Sequence, residues 1–223
     1  MKRTISITSL ITAGLLAASP TFDAIAGDGL RLYEVSVTNL TRGVSFTPIL
    51  VATHQEGVHL YQLGHPASIA LAAMAEGGDT GPLATMIEET PHAETASSDG
   101  LLEPGNTVTI TVAARDGASH LSLAAMMLPT NDGFIAVNDM PLPKGRQVET
   151  LLSNGHDAGS EPNDELCANI PGPTCGGVGG SPNEGGEGFV HIHAGIHGIG
   201  DLDAAEYDWR NPVARITVRK KDR

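Results

Sequence analysis

The chain has 223 residues, 13 Lys+Arg against 26 Asp+Glu, a formal charge of −13 and 40% hydrophobic content. That apolar fraction can build a core, which excludes wholesale disorder; the acidic balance repels nucleic acid and anionic lipid but attracts cations. With 27 Gly and 14 Pro, the composition favours a turn-rich β protein over a helical bundle.

In chain order, the first feature is an address. Lys2 and Arg3 precede an apolar stretch around Ile7–Ala18, and Ala24-Ile25-Ala26 offers the small residues of a cleavage site. The expected division is a signal peptide over 1–26, cleaved after Ala26, and a single domain over 27–223. The expected location is therefore secreted or periplasmic. Beyond the leader, no apolar run is long enough to span a membrane.

Tyr33, Val35 and Val37 alternate with polar residues, as do Val108, Ile110 and Val112, and both segments predict half-buried strands. Further strands are predicted at Ser45–Ala52, His120–Leu128, Gly133–Val137, Arg146–Leu152, Phe189–His193 and Ala214–Arg219. Ser68 can cap a helix through Leu71 and Met74 that ends at Gly77-Gly78, and Pro82 can open a second with Leu83, Met86 and Ile87 on one face. Residues 90–100 and 172–188 read as exposed loops. The fold class that follows is all-β, an antiparallel eight-stranded β-sandwich with one or two short helices in its connections.

Cys167 and Cys175 are the only cysteines, eight positions apart in a Pro/Gly-rich loop. In an exported protein they are expected to form a disulfide, worth roughly 2–3 kcal/mol by loop-closure entropy. Their spacing suits zinc poorly.

Three constellations carry chemistry. Asp157, Glu161, Asp164 and Glu165 crowd a short Gly- and Pro-broken segment, where oxygens can converge on a hard cation such as Ca²⁺. Asp132 lies between two predicted strands, and loops at one end of a sandwich cluster, so it can meet Asp157 and Glu161. His191-Ile-His193 places two imidazoles on one strand face, with His197 following, which suits Zn²⁺ or Cu²⁺. His54, His59 and His65 are possible additions, and Asp201 and Asp203 can orient a histidine or cap a turn. No nucleophile elbow, phosphate loop or free thiol points to catalysis, so the chain is expected to be no enzyme. Asn39-Leu-Thr41 is a formal glycosylation sequon.

Several blocks, in order, resemble the spondin N-terminal domain family, known from F-spondin, mindin and exported bacterial proteins. They are Tyr33-Glu-Val-Ser-Val-Thr-Asn-Leu-Thr, Val51-Ala-Thr-His54, Leu71-Ala-Ala-Met-Ala-Glu-Gly-Gly-Asp79, Leu128-Pro-Thr-Asn-Asp132-Gly-Phe-Ile-Ala-Val137, Asp157-Ala-Gly-Ser-Glu161 and Pro212-Val-Ala-Arg-Ile-Thr-Val218. The resemblance covers about residues 30–220. It implies an eight-stranded sandwich, a bound divalent cation, calcium in F-spondin, and service in adhesion or recognition of an unidentified protein or glycan ligand. The family's metal acids fall on Asp132, Asp157 and Glu161, the last an Asp in the animal proteins. Gly133 stands where a bulky aromatic is usual, which predicts a looser loop. The stretch 163–210, with the cysteines and His191-Ile-His193, departs from the animal pattern. The principal expectation is thus an exported Ca²⁺-binding recognition module; the alternative is a periplasmic Cu²⁺ or Zn²⁺ binder using His191, His193 and His197.

Overall fold

The computed structural model describes residues 30–180 and 185–222. The expected signal peptide and its cleavage site at Ala26 lie outside the described residues.

The elements run β1 (Arg31–Asn39), β2 (Ser45–Phe46), β3 (Leu50–His54), α1 (Ile69–Gly77), α2 (Gly81–Glu88), β4 (Glu94–Ser97), β5 (Thr107–Ala114), β6 (His120–Leu128), β7 (Gly133–Pro141), β8 (Val148–Ser153) and β9 (Gly155–Asp157). There follow a 3-10 turn (Cys167–Asn169), α3 (Gly172–Cys175), β10 (His191–Ile192), α4 (Ala204–Tyr207) and β11 (Ala214–Lys220). Two antiparallel sheets form a sandwich, one in the order β5-β1-β11-β8 and the other β10-β9-β7-β6-β3-β4, with β2 also on β6. Eight strands have four or more residues, matching the expected eight, and β2, β9 and β10 are short additions of two or three.

The sequence pattern explains which face each strand buries. Tyr33, Val35 and Val37 of β1 are buried, as are Ile110 and Val112 of β5, while Glu34 and Ser36 between the first set lie half-buried and Thr111 between the second faces solvent. β6 instead buries every residue after His120. It sits centrally, with the other sheet on one side and α1 on the other, so it has no solvent face to mark with polar residues. Phe46, Leu121, Leu123, Met126 and Phe134 join a single core cluster. α1 begins where Ser68 accepts a hydrogen bond from the Leu71 N–H, and Gly78 ends it in the left-handed conformation. In α2, Leu83 and Ile87 are buried.

Four expectations need correction. The predicted strand Ser45–Ala52 is two strands on the same partner, β6, because Pro48 has no N–H for a ladder and the register against β6 slips by one residue across it. The predicted loop 90–100 contains β4, which pairs with β3 although its own side chains are small or polar. The predicted loop 172–188 opens with the single turn α3. The acidic segment begins in a strand, since Asp157 closes β9.

Candidate metal centre

At one end of the sandwich, the β6–β7 turn meets the segment that follows β9. Thr130 holds this turn: its hydroxyl donates to the Met127 carbonyl at 2.6 Å and accepts the Gly133 N–H at 2.9 Å. Asp132, the residue before β7, is fully buried. Its Oδ2 accepts the Ser160 N–H at 2.8 Å, the Glu161 N–H at 3.1 Å and the Ser160 hydroxyl at 3.2 Å, whereas its buried Oδ1 has no hydrogen-bond partner.

Asp157 is equally buried and lies opposite Gly133 in the β7–β9 ladder. Its Oδ1 accepts the Gly159 N–H at 2.8 Å and its Oδ2 accepts from the Asn163 amide at 2.7 Å. Burial pushes the Asp157 carboxyl up to about 7, with the charge of Asp132 adding to it and the two hydrogen bonds opposing. Burial likewise raises Asp132, against the pull of its bonds from Glu161 and Ser160. The Lys and Arg ion pairs among the described residues go to Glu34, Glu94 and Asp208, so no Lys or Arg offsets these two acids. Glu161, 1% exposed, shares the same loop.

The histidine segment closes over this loop. β10 pairs with β9 so that His191 lies opposite Asp157. Close backbone approach requires glycine here: Gly159 has φ of +66°, and a Cβ on it would lie 2.3 Å from the Phe189 carbonyl oxygen. The Gly188 N–H bonds the Gly159 carbonyl at 2.8 Å. Glu187 is thereby carried to the site, and the Asn163 amide reaches its Oε1 at 3.3 Å while holding Asp157.

His191 Nε2 lies 3.4 Å from Asp157 Oδ1 and 3.6 Å from Glu187 Oε2, hydrogen-bonded to neither. One donor atom from each of Asp157, Glu187 and His191 lies within 4.8 Å of the other two, a grouping that can hold a metal ion. Asp132 and Glu161 fall outside that set, on the Ser160 side of the junction.

The two histidines of His191-Ile-His193 differ in their hydrogen bonds. His191 Nδ1 faces the Ile192 carbonyl oxygen at 3.0 Å, so it donates, and the neutral ring keeps its lone pair on Nε2. His193 Nδ1 instead accepts the Gly195 N–H at 3.0 Å, which puts the ring proton on Nε2, 4.0 Å from Asp157 Oδ2. Burial lowers the His193 imidazole to about 4, with His191 and His197 adding to the effect. Burial also pulls His191 down, but the Ile192 carbonyl and the Asp157 and Glu187 carboxylates outweigh it, and the net shift is upward.

Gly133 corrects the expectation of a loose turn. A Cβ there would lie 2.6 Å from Thr130 Oγ1 and 3.0 Å from the His193 ring. The glycine makes room for His193, and the turn is tight.

The remaining candidates are placed elsewhere. His197 is exposed, with its backbone N–H bonded to Glu165 Oε1 at 2.6 Å. Glu165 also accepts the Ile199 N–H, and Asp164 accepts from Asn131, Leu166 and Asn169, so these two acids anchor loops. Asp201 accepts the Cys167 N–H and Asp203 caps α4. Cys167 and Cys175 form the expected disulfide. Asn39 is fully buried, its amide bonded to the Val44 and Leu102 carbonyls and its oxygen to Thr41, so the sequon is occupied by structure.

His65 and His59 are exposed; His59 lies beside Asp139, and the backbone carbonyl of His65 accepts the Val190 N–H at 2.8 Å. His54 Nε2 lies 2.9 Å from the Ser122 hydroxyl and its Nδ1 3.9 Å from Asp139. That order of groups resembles a catalytic triad, yet Ser122 and His54 are both 0% exposed and His54 Nδ1 donates to the Gln55 carbonyl at 2.7 Å. It is a structural network across β3, β6 and β7.

Sequence reasoning missed Glu187. Its only signal was its place four residues before His191 in a glycine-rich loop.

The family model of Spondin_N matches residues 38–160, the span from β1 to the loop after β9. No curated protein matches the chain. The matched span carries Asp132 and Asp157, whereas Glu161, Glu187, His191 and the disulfide lie beyond it. The match spans more than half of the 223 residues: the chain belongs to the Spondin_N family.

Proposed function

We propose that this is an exported, non-enzymatic Spondin_N-domain protein that binds a divalent cation at the loop junction around Asp157 and serves in recognition or adhesion. The observation that carries this reading is the pair of fully buried carboxylates, Asp132 and Asp157, one of them with an oxygen left without a partner and neither paired with a Lys or Arg among the described residues, the His191 and His193 imidazoles being the nearest basic groups to Asp157. An uncompensated buried charge is worth several kcal/mol of instability, and a cation supplies the missing compensation. The family resemblance favours calcium, with Asp132, Asp157 and Glu161 as oxygen ligands.

Such an ion would tie the β6–β7 turn to the loop after β9 and hold the junction rigid for a protein or glycan ligand. A cleft of about 240 Å³ beside it, lined by His193, His197, Asp208, Trp209, Arg210 and Asn211, has the aromatic and polar groups such a ligand would use. The disulfide supports an oxidising, extracytoplasmic location. No helix among the described residues is long and apolar enough to cross a membrane.

Calorimetric titration of chelator-treated protein with Ca²⁺ tests the reading. Saturable binding lost in Asp132→Asn supports calcium at the acids, and the absence of binding by any divalent ion overturns it. His191, with its Nε2 between two carboxylates, favours a second reading in which nitrogen enters the site.

A further inference from the structure

We propose that the His191 side of this junction is a nitrogen/oxygen seat for a borderline transition-metal ion of the Zn²⁺ class, ligated by Asp157 Oδ1, Glu187 Oε2 and His191 Nε2. The proposal rests on the cation-binding reading, shares Asp157 with the family's acids and assigns two ligands, Glu187 and His191, that those acids do not include. Three observations carry it.

The first is separation. Two ligand atoms each 2.0–2.1 Å from a tetrahedral ion lie roughly 3.3 Å apart, and His191 Nε2 stands 3.4 Å and 3.6 Å from the two carboxylate oxygens. The second is the state of the ring. A metal-binding histidine donates its other N–H to a carbonyl or carboxylate, which aims the free lone pair at the ion, and His191 Nδ1 is held in that way by the Ile192 carbonyl. Its Nε2 is closed from solvent and bonds nothing in the protein.

The third is the surroundings. The His193 side chain, 2% exposed, directs an unbonded Nε2 toward Asp157 Oδ2 from the other side. Because Gly195 fixes its proton on that nitrogen, His193 supports the carboxylate and does not ligate. Asn163 bridges Asp157 and Glu187 and sets their separation. Imidazole is a ligand of Zn²⁺ and Cu²⁺, whereas Ca²⁺ takes oxygen. The buried Asp157, the half-buried His191 and the exposed Glu187 leave the seat open on one side, where water or a partner's carboxylate completes the shell.

The test is titration of the full mature chain, stripped with chelator, with Zn²⁺, Co²⁺ and Ca²⁺ separately. It is followed by calorimetry and, for Co²⁺, by visible absorption, whose bands report nitrogen ligation. The expected result is stoichiometric Zn²⁺ and Co²⁺ binding, weakened about 100-fold or more in His191→Ala and in Glu187→Gln, with both variants retaining the parent's far-UV circular dichroism. Zn²⁺ or Co²⁺ binding indifferent to both substitutions overturns the seat. Calcium binding alone, lost in Asp132→Asn, also overturns it while leaving the cation reading intact. Failure of all three ions removes both.

Discussion

Replacing Asp157 with asparagine sets two effects of the same carboxylate against each other. In the metal-free fold the group is buried and its pKa rises from 3.8 to about 7. At 1.36 kcal/mol per pH unit, the ionised form destabilises the fold by about 4 kcal/mol above pH 7. The sign follows from proton binding: between about pH 4 and 7 the folded protein holds a proton that the unfolded chain has released. This group's contribution is thus fully present below pH 4 and is lost as pH rises through 7. Asparagine keeps an acceptor for the Gly159 N–H but turns an amide toward Asn163, a loss of about 1–2 kcal/mol. The net expectation for Asp157→Asn in chelator at pH 8 is a gain of about 2–3 kcal/mol, or roughly 5–10 °C in melting temperature. Below pH 4 the gain vanishes or reverses. With metal the difference closes and then inverts: the variant gains nothing, while the parent gains about 2.7 kcal/mol at a hundredfold excess over Kd, which cancels the variant's advantage, and about 4.1 kcal/mol at a thousandfold excess, which exceeds it. Thermal melting with and without chelator, at pH 4 and pH 8, reads all of this. A variant less stable than the parent at pH 8 in chelator, yet still stabilised by metal, would refute the reasoning.

Other consequences are open to the same instruments. Metal binding must displace the Asp157 proton, so affinity should rise at least about 30-fold between pH 5.5 and 8, read by titration at the two values; a flat profile would separate the ion from this group. His156 and His193 are both held down to about 4 by burial, so the unfolded chain gains protons that the fold does not as pH falls from 6.5. Metal-free Asp157→Asn protein, in which only the raised Asp132 carboxyl of the buried pair still opposes this trend, should therefore lose more stability between pH 6.5 and 4 than the metal-free parent, which denaturant melts would show. Gly133→Ala should cost about 1–3 kcal/mol and weaken metal binding, because the added Cβ displaces Thr130 or His193. Replacing Cys167 and Cys175 together by alanine should cost about 2–3 kcal/mol in urea melts while leaving metal affinity unchanged, since neither cysteine touches the site.

The parts of the fold legible in the sequence are those where one element's burial leaves a periodic trace. β1 and β5 alternate because one face packs on the opposite sheet, and α1 carries its own cap signals. β4 left no trace: Glu94-Thr-Ala-Ser97 is a strand only because β3 offers it an edge. The metal acids were legible as a group but not as individuals. Asp157 and Asp164 look alike in sequence, and what separates them is that Asp164 meets two amides and a backbone N–H while Asp157 also faces a histidine and a second acid.

The same holds for the histidines. The two-residue period put His191 and His193 on one face, and both do turn toward Asp157. Which nitrogen keeps its lone pair depends on whether a carbonyl or an N–H lies beside Nδ1, and no sequence period encodes that. Glu187 was out of reach because the close approach of Gly159 to Phe189 brings its loop in from 28 residues beyond Gly159.

The central claim is that the junction at Asp157 holds a divalent cation. It is tested most directly by elemental analysis of the purified mature protein, paired with calorimetric titration of the chelator-treated form. The account predicts one divalent ion per chain, or one site that refills after stripping, and its loss in Asp157→Asn. A protein that purifies without metal and binds none of Ca²⁺, Zn²⁺ or Co²⁺ would contradict it.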